Sequence, residues 1–311
     1  MKRLFAVFVL SGISVQAQTI TETFGSGANQ FSIDFVQIGN PGNAADTTGS
    51  PNPVGSVGYI YNLGKYEISR DMITKANAVG SLGITLSDMS SYGGNGGNRP
   101  ATGISWNEAA RFVNWLNTSR GYQAAYLLDG SGNLQLWSSA RSVANNLFRH
   151  KNAYYFLPSV DEWYKAAFYN PVTATYLSYP TSSNSAPGII YSGTSGAVYN
   201  HGLGPAEVFS AGSLSPYGTM AQGGNAWEWE ETAFDLNNDL SSENRGMRGG
   251  SWDYSSSYLL SSNRQSISPN ADKSIQGSDD VGFRVAMVPE PSSLSLLLVG
   301  GAVLMAGRRR K

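Results

Sequence analysis

The chain has 311 residues, enough for one or two domains, and only 14% of them are charged, against roughly 25% in an average soluble protein. Gly (36) and Tyr (17) take up the difference, a composition that suits an ordered, loop-rich domain and not a disordered acidic chain or a helical bundle. The net charge is -1, but Lys2, Arg3 and the run Arg308 to Lys311 leave 15 basic against 21 acidic residues in the body, a net of about −6. That balance excludes a nucleic-acid binder, which needs a basic surface to neutralise phosphates. With no Cys and only two His, disulfides, thiolate metal sites, thiol nucleophiles and three-histidine metal centres are excluded as well.

In chain order, Met1 to Gln18 reads as a secretory signal: Lys2 and Arg3, then an apolar run from Leu4 to Leu10, then small residues around Ala17. Phe31 to Ile38 and Val57 to Leu63 read as strands, separated by a long Gly/Pro/Asn-rich segment from Gly39 to Gly55. A helix is expected from Ser69 to Val79, with Met72, Ile73, Ala76 and Val79 as its buried stripe and Gly80 ending it. After a second long loop, Ser90 to Pro100, the string Ser105-Trp106-Asn107-Glu108 is a capping box that opens a helix with Ala109, Phe112, Val113 and Leu116 on one face and Gly121 as its C′ residue. His150, between Arg149 and Lys151, reads as solvated. Ala153 to Leu157 reads as a strand, and Ser159-Val160-Asp161-Glu162 repeats the capping box for a helix that Asn170-Pro171 should stop. A third long loop runs from Tyr179 to Gly196, and His201 beside Gly202 reads as a loop residue. Asp235 to Asp239 starts like a calcium-binding EF-hand loop, but Leu240 stands where glycine is needed. Gly282 to Met287 is the last strand. No repeat is visible, and the element order points to α+β.

Six strings occur in the order found in one family. They are Gly64 to Ser69, Ile104 to Ala109 with Asn114-Trp115-Leu116, Phe156 to Trp163, Gly224-Asn225-Ala226-Trp227-Glu228-Trp229, Arg248-Gly249-Gly250-Ser251-Trp252 and Gly282-Phe283-Arg284. Together they resemble the formylglycine-generating enzyme family, the sulfatase-modifying factor domains, over residues 31–288. The resemblance implies a C-type-lectin-like α+β fold with short strands, few helices and long loops. It also implies, in the family's enzymes, two cysteines holding copper just after the Arg-Gly-Gly-Ser-Trp string. Here Asp253 to Arg264 holds no sulfur, and copper(I) needs soft ligands, so neither copper nor formylglycine formation is expected.

By the same resemblance, Gly224, Ala226 and Glu228 would ligate calcium, with Ala221 where the family has Asn or Asp. The alternative makes Trp227 and Trp229 core anchors and gives Glu228 to nearby backbone amides. Arg248 and Arg284 would hold an anionic ligand or, as the favoured reading, pair with buried carboxylates such as Asp161, Glu162 or Glu228. Tyr254, Tyr258, Asn263 and Arg264, with Gln265, border the family's substrate cleft, and this mix of tyrosine and amide side chains suits a glycan or peptide surface. Trp163 and Trp252 belong to the structural motifs.

The chain ends with Val288-Pro289-Glu290-Pro291, an apolar stretch from Leu294 to Ala306 and the cluster Arg308 to Lys311. Residues 289–311 resemble a PEP-CTERM sorting signal, which implies an exosortase partner and a short membrane segment at the C-terminus. The expectation is an exported, surface-sorted, non-catalytic binding or matrix protein, with extracellular polysaccharide or a surface protein as its ligand. The alternatives are an enzyme of this fold with cysteine-independent chemistry, or a degenerate sulfatase-modifying factor. A cleft with closely paired buried carboxylates would favour the enzyme; an open face of Tyr and Trp would favour binding.

Overall fold

A computed structural model describes residues 19–272 and 279–289, so the expected signal peptide and the sorting segment beyond Pro289 lie outside the described residues. In chain order the elements that build the framework are β1 (Thr19–Phe24), β2 (Phe31–Ile38), β3 (Tyr61–Gly64), α1 (Arg70–Gly80), α2 (Trp106–Thr118), β4 (Ser142–Val143), β5 (Asn146–His150), β6 (Tyr155–Phe156), α3 (Val160–Phe168), β7 (Trp227–Ala233), β8 (Arg245–Arg248), β9 (Gln265–Ile267), β10 (Val281–Gly282) and β11 (Ala286–Met287). Five strands form an antiparallel sheet in the order β1-β2-β3-β11-β6, and four form a second sheet in the order β9-β8-β7-β10, where β10 runs parallel to β7. Long irregular segments fill the rest. Among the described residues no helix is long and apolar enough to cross a membrane.

Both capping boxes form. Ser105 accepts from the Glu108 amide while Glu108 reaches back to the Ser105 amide, and Ser159 and Glu162 do the same at α3. The helix ends shift by a few residues. The α2 helix stops at Thr118 and Gly121 turns left-handed three residues later, while α3 stops at Phe168, before Asn170-Pro171. In α1 the expected stripe is only half right: Ile73 and Ala76 are buried, Met72 is partly covered and Val79 is 44% exposed, while Arg70 at the start of the helix is buried on the face of Ile73 and Ala76. Ser81, not Gly80, takes the left-handed cap. Gly80 serves packing instead, since a Cβ there would lie 2.6 Å from the Trp115 ring of α2.

The strand β2 forms over its full expected length, and an additional strand, β1, pairs with it from Thr19↔Val36 to Phe24↔Phe31. The run Val57 to Leu63 is a strand only from Tyr61, and Ala153 to Leu157 only at Tyr155 and Phe156. Gly282 to Met287 is not one strand. Val281–Gly282 joins the second sheet and Ala286–Met287 the first, so this short stretch stitches the two sheets together.

The main core lies between the first sheet, α1, α2 and the tryptophan face of β7. Trp106 donates to the Glu230 carbonyl at 2.9 Å, and Trp229 returns a bond to the Ile104 carbonyl at 2.8 Å, so the start of α2 and β7 hold each other reciprocally. On β7 the residues Glu228, Glu230 and Glu231 are all 0% exposed. Arg284 Nε and Nη2 meet the two oxygens of Glu228, each at 2.5 Å, and Trp163 adds a bond at 2.6 Å. Glu230 is held by Arg248 at 2.5 Å and Arg264 at 2.8 Å. Glu231 accepts from Tyr126 at 2.8 Å and Asn146 at 2.5 Å, with Arg149 Nε at 3.4 Å. An unpaired buried carboxylate costs several kcal/mol, so these partners are obligatory.

Gly246 on β8 lies directly against one of these clamps: an added Cβ would stand 2.0 Å from Glu230 Oε2 and 2.6 Å from Arg264 Nη2. Both atoms are locked and cannot swing aside. Gly246→Ala is expected to lower stability by roughly 3 kcal/mol in urea unfolding, and a change below about 0.5 kcal/mol would contradict the clamp. Ser105→Ala, which removes one cap bond, should cost about 1 kcal/mol in the same measurement.

Candidate functional site

The segment that follows Arg248-Gly249-Gly250-Ser251-Trp252 forms a loop with a short 3-10 turn, Ser256–Leu259. Tyr254 and Tyr258 stand on the Trp227 ring, at centroid distances of 5.4 and 5.8 Å and both edge to face, and they meet each other at 4.8 Å. Both are half-buried, so each packs beneath the loop and also offers a surface edge. The loop is tied to the segment around His201: the Asn200 amide donates to the Tyr254 carbonyl and the His201 amide to the Trp252 carbonyl, each at 2.8 Å.

Under this aromatic face lies Asp280. Its Oδ2 accepts from Ser251 Oγ, and its Oδ1 has no hydrogen-bond partner among the described residues. The Trp227 amide donates to the Asp280 carbonyl at 3.0 Å, and the Trp227 indole N–H also lacks a partner among the described residues. Burial pushes the Asp280 carboxyl up to about 7, and the negative charges of Asp279 and Asp253 add to the rise while the Ser251 bond opposes it.

Two residues expected on this face are elsewhere. Arg264 is buried, paired with Glu230 and donating to the Phe234 carbonyl at 2.7 Å and the Ala233 carbonyl at 3.0 Å. Asn263 uses its carbonyl to accept from Arg248 at 2.8 Å, and its side chain accepts from Gln265. Neither extends the tyrosine face, because β8 and β9 turn that end of the segment toward the carboxylates of β7. Arg248 and Arg284 take the carboxylate-pairing role, with Glu230 and Glu228 as partners. Trp163, Trp227, Trp229 and Trp252 are all buried.

The residues proposed for calcium do not fit the ion. Glu228 sits on a strand, with both oxygens facing an arginine that a cation would have to displace. Ahead of it, Asn225 Nδ2 and the Ala226 amide both donate to Glu67, whose carboxyl is pushed well up by burial and by the nearby Glu228. The Gly224 amide donates to the Gly249 carbonyl, and Gly224 and Asn225 both have positive φ in a tight turn. Calcium wants six to eight oxygens, several of them anionic, and among the described residues no cluster of three His, Asp or Glu is arranged for a metal. His150 also departs from expectation: it is not solvated but buried at the end of β5, its ring edge-on to Trp137 at 4.8 Å. His201 is a loop residue, as read.

A second group escaped the sequence reading altogether. Arg149 lies 3.4 Å from Glu231 and 3.7 Å from Glu162, and Tyr59 donates to Glu162 at 2.7 Å. Burial pushes Glu231 up to about 7, with Arg149 pulling it down and Glu162 pushing it further up. This is a buried carboxylate pair beside a cleft, but Glu162 and Glu231 are fully covered and neither lines the cleft wall. The four residues come from segments far apart in sequence, so no spacing could have disclosed the group.

The Sulfatase-modifying factor enzyme 1-like domain matches residues 31–288. Among solved structures, "Treponema denticola variable protein 1" superposes with a TM-score of 0.60 at 20% identity, covering 87% of this chain and 99% of that one. The structure titled "Crystal Structure of CarF" gives 0.58 at 16% identity (83% and 99% covered), and PvdO from Pseudomonas aeruginosa gives 0.52 at 14% (86% and 98%). At such identities these likenesses speak for the fold alone. No curated protein matches the chain. The ordered motifs, the two sheets with three helices and the matched span agree: this chain belongs to the sulfatase-modifying factor enzyme 1-like domain family and has its α+β, C-type-lectin-like fold.

Proposed function

We propose that the chain is an exported, surface-sorted binding protein in which the family fold is kept without copper oxidation chemistry. The observation that carries this reading is the content of residues 253–264. Where the resemblance calls for two copper-holding thiolates, the chain has an oxygen- and aromatic-rich loop, with Tyr254 and Tyr258 seated on Trp227 and no sulfur at any position. Hydroxyl and phenol oxygens are hard donors that do not hold copper(I). The ligand-facing chemistry is that of a contact surface, whose class of partner is extracellular polysaccharide or a surface protein. The basic and apolar segments at the two ends support export and exosortase-mediated sorting through a short C-terminal membrane segment.

The competing reading, a carboxylate enzyme of the same fold, is favoured by the Glu162 and Glu231 pair around Arg149. Their complete burial behind Arg149 and Tyr59 keeps substrate from reaching either oxygen, and a general acid or base must come within hydrogen-bond reach of its substrate. The binding reading therefore stands first.

Two outcomes check this account. The full chain should bind surface material prepared from its own cells, and Tyr254→Ala with Tyr258→Ala should weaken that binding roughly tenfold in a pull-down titration, as for loss of an aromatic anchor. Oxidation of a cysteine peptide by the copper-loaded chain would overturn it. Asp280, beneath the same face, provides the second check. Its folded pKa of about 7 exceeds the ordinary Asp value, so the folded state holds a proton that the unfolded chain releases, and stability falls as pH rises from about 4 through about 7. Asp280→Asn should thus be more stable than the parent at pH 8, by the order of 2 kcal/mol in denaturant unfolding, with the gap closing near pH 4. A loss of stability at pH 8 would mean that the ionised carboxylate is held by partners in this structure.

A further inference from the structure

Arg149 is the exception among the arginines that meet the carboxylates of β7. Arg248, Arg264 and Arg284 each donate several short hydrogen bonds to carboxylates and carbonyls. Arg149 is equally buried, at 7% exposed, yet its contacts to Glu162 and Glu231 are only long ion pairs, and its Nε has no hydrogen-bond partner among the described residues. Its guanidinium carbon lies over the Phe156 ring, 4.0 Å from the centroid, which helps to fix its position. Nε is closed off against Glu231, so a ligand can be met only by the Nη groups, of which Nη1 has just the 3.7 Å contact to Glu162.

Those donors stand at the junction of two adjoining hollows. One, of about 350 Å3, is walled by the loop that carries Pro51 and Pro53, by Ala144 and by Asp161 at the start of α3. The other, of about 240 Å3, is walled by Ala153, Phe156 and Val288. Tyr59, Val143 and Arg149 line both, so the two form one cleft in the size range of small-ligand sites. Tyr59 is 49% exposed although its hydroxyl is anchored on Glu162, an arrangement that holds an aromatic ring rigid at the surface. The wall is also anchored: Asp161 accepts from the Gly55 amide at 2.7 Å and Arg248 donates to the Ser50 carbonyl, fixing the proline loop from both sides.

We propose that this cleft binds a neutral hexopyranose unit of a polysaccharide, with the C–H face of the sugar on Tyr59 and a ring or hydroxyl oxygen accepting from Arg149. The charge argues for a neutral sugar. Glu162 and Glu231 outnumber Arg149, which disfavours an anion on its donors, and across the cleft Asp161 in one hollow offsets Lys151 in the other, so no cluster of one sign is there to hold a charged ligand. The lining argues for a sugar over a peptide: one exposed ring and one prolyl shelf beside isolated polar groups match a pyranose, which is apolar on its faces and hydroxylated at its edge. The inference rests on the binding function proposed above and assigns its ligand class to a second place, away from Tyr254 and Tyr258.

The test is calorimetric titration of the full chain with neutral gluco-, galacto- and manno-oligosaccharides, with oligogalacturonate as the anionic counterpart and a proline-rich peptide as the third probe. Expected is binding of at least one neutral oligosaccharide. Ala144→Trp, which places a bulky ring on the exposed rim, and Tyr59→Ala should each weaken it roughly tenfold or more, while Tyr59→Phe keeps the ring and stays within roughly threefold. Melting temperatures of the variants report whether they fold. Binding of the oligogalacturonate or the peptide alone, no binding by any neutral sugar, or sugar binding untouched by a folded Ala144→Trp would each overturn the proposal. If surface material still binds through Tyr254 and Tyr258 in those cases, only this cleft assignment fails; if that binding is also absent, the binding function falls with it.

Discussion

Three glutamates on one fully buried strand set the terms for the rest of this molecule. Glu228, Glu230 and Glu231 could not remain ionised inside a protein unless cations and hydrogen-bond donors came to them. The chain meets that demand from distant places: Arg284 near the end of the domain, Arg248 from the neighbouring strand, Arg264 from just ahead of β9, Arg149 from a hairpin and Trp163 from a helix. Because Arg248, Arg264 and Arg284 also bind backbone carbonyls, one strand fixes the position of loops that have no regular structure of their own. Arg284 alone donates to the carbonyls of Gly64 and Met220, and Arg248 reaches Asn263 and Ser50. A fold with few helices and short strands can stay ordered through such ionic knots.

The same strand separates two surfaces of different character. Toward Trp227 it supports the tyrosine face above Asp280, in the segment where the family's enzymes would need sulfur. Toward Glu231 it supports the cleft of Tyr59 and Arg149. Arg248, Arg264 and Arg284 each combine a carboxylate with backbone carbonyls, whereas Arg149, which lines a cleft, has only long ion pairs. None of the framework bonds involves a thiol, which explains how this scaffold stands in a chain without cysteine. The loop placed on it at residues 253–264 is rich in hydroxyl and phenol groups, and loops are where function varies on a rigid support.

Local signals were legible in the sequence. Ser105 with Glu108 and Ser159 with Glu162 announced their helices through cap chemistry that needs only four residues, and the β2 strand showed as an alternating apolar run. What escaped was set by tertiary contact. Trp227-Glu228-Trp229-Glu230 has a strand's period of two, but an acidic residue at every second position reads as a solvated or metal-binding loop until arginines from elsewhere are seen to neutralise it. Arg264 looked like a cleft residue because it follows Tyr258 closely, whereas the turn at Ser256–Leu259 sends it into the interior. His150 looks solvated between two basic residues, yet Phe148, Arg149 and His150 are all buried in succession on β5, a pattern without the alternation that marks a strand in sequence. The pairing of Tyr59, Arg149, Glu162 and Glu231 has no sequence signature at all.

The organising role of the β7 carboxylates is most directly measured by a double-mutant cycle of Glu228→Gln and Arg284→Met, read by equilibrium unfolding. If the ion pair holds the two sheets together, each single variant should lose roughly 3 to 5 kcal/mol while the double variant regains part of that loss, giving a coupling of about 2 kcal/mol or more. Strictly additive losses would contradict the account and show that the buried carboxylates are passengers in a core held by other contacts.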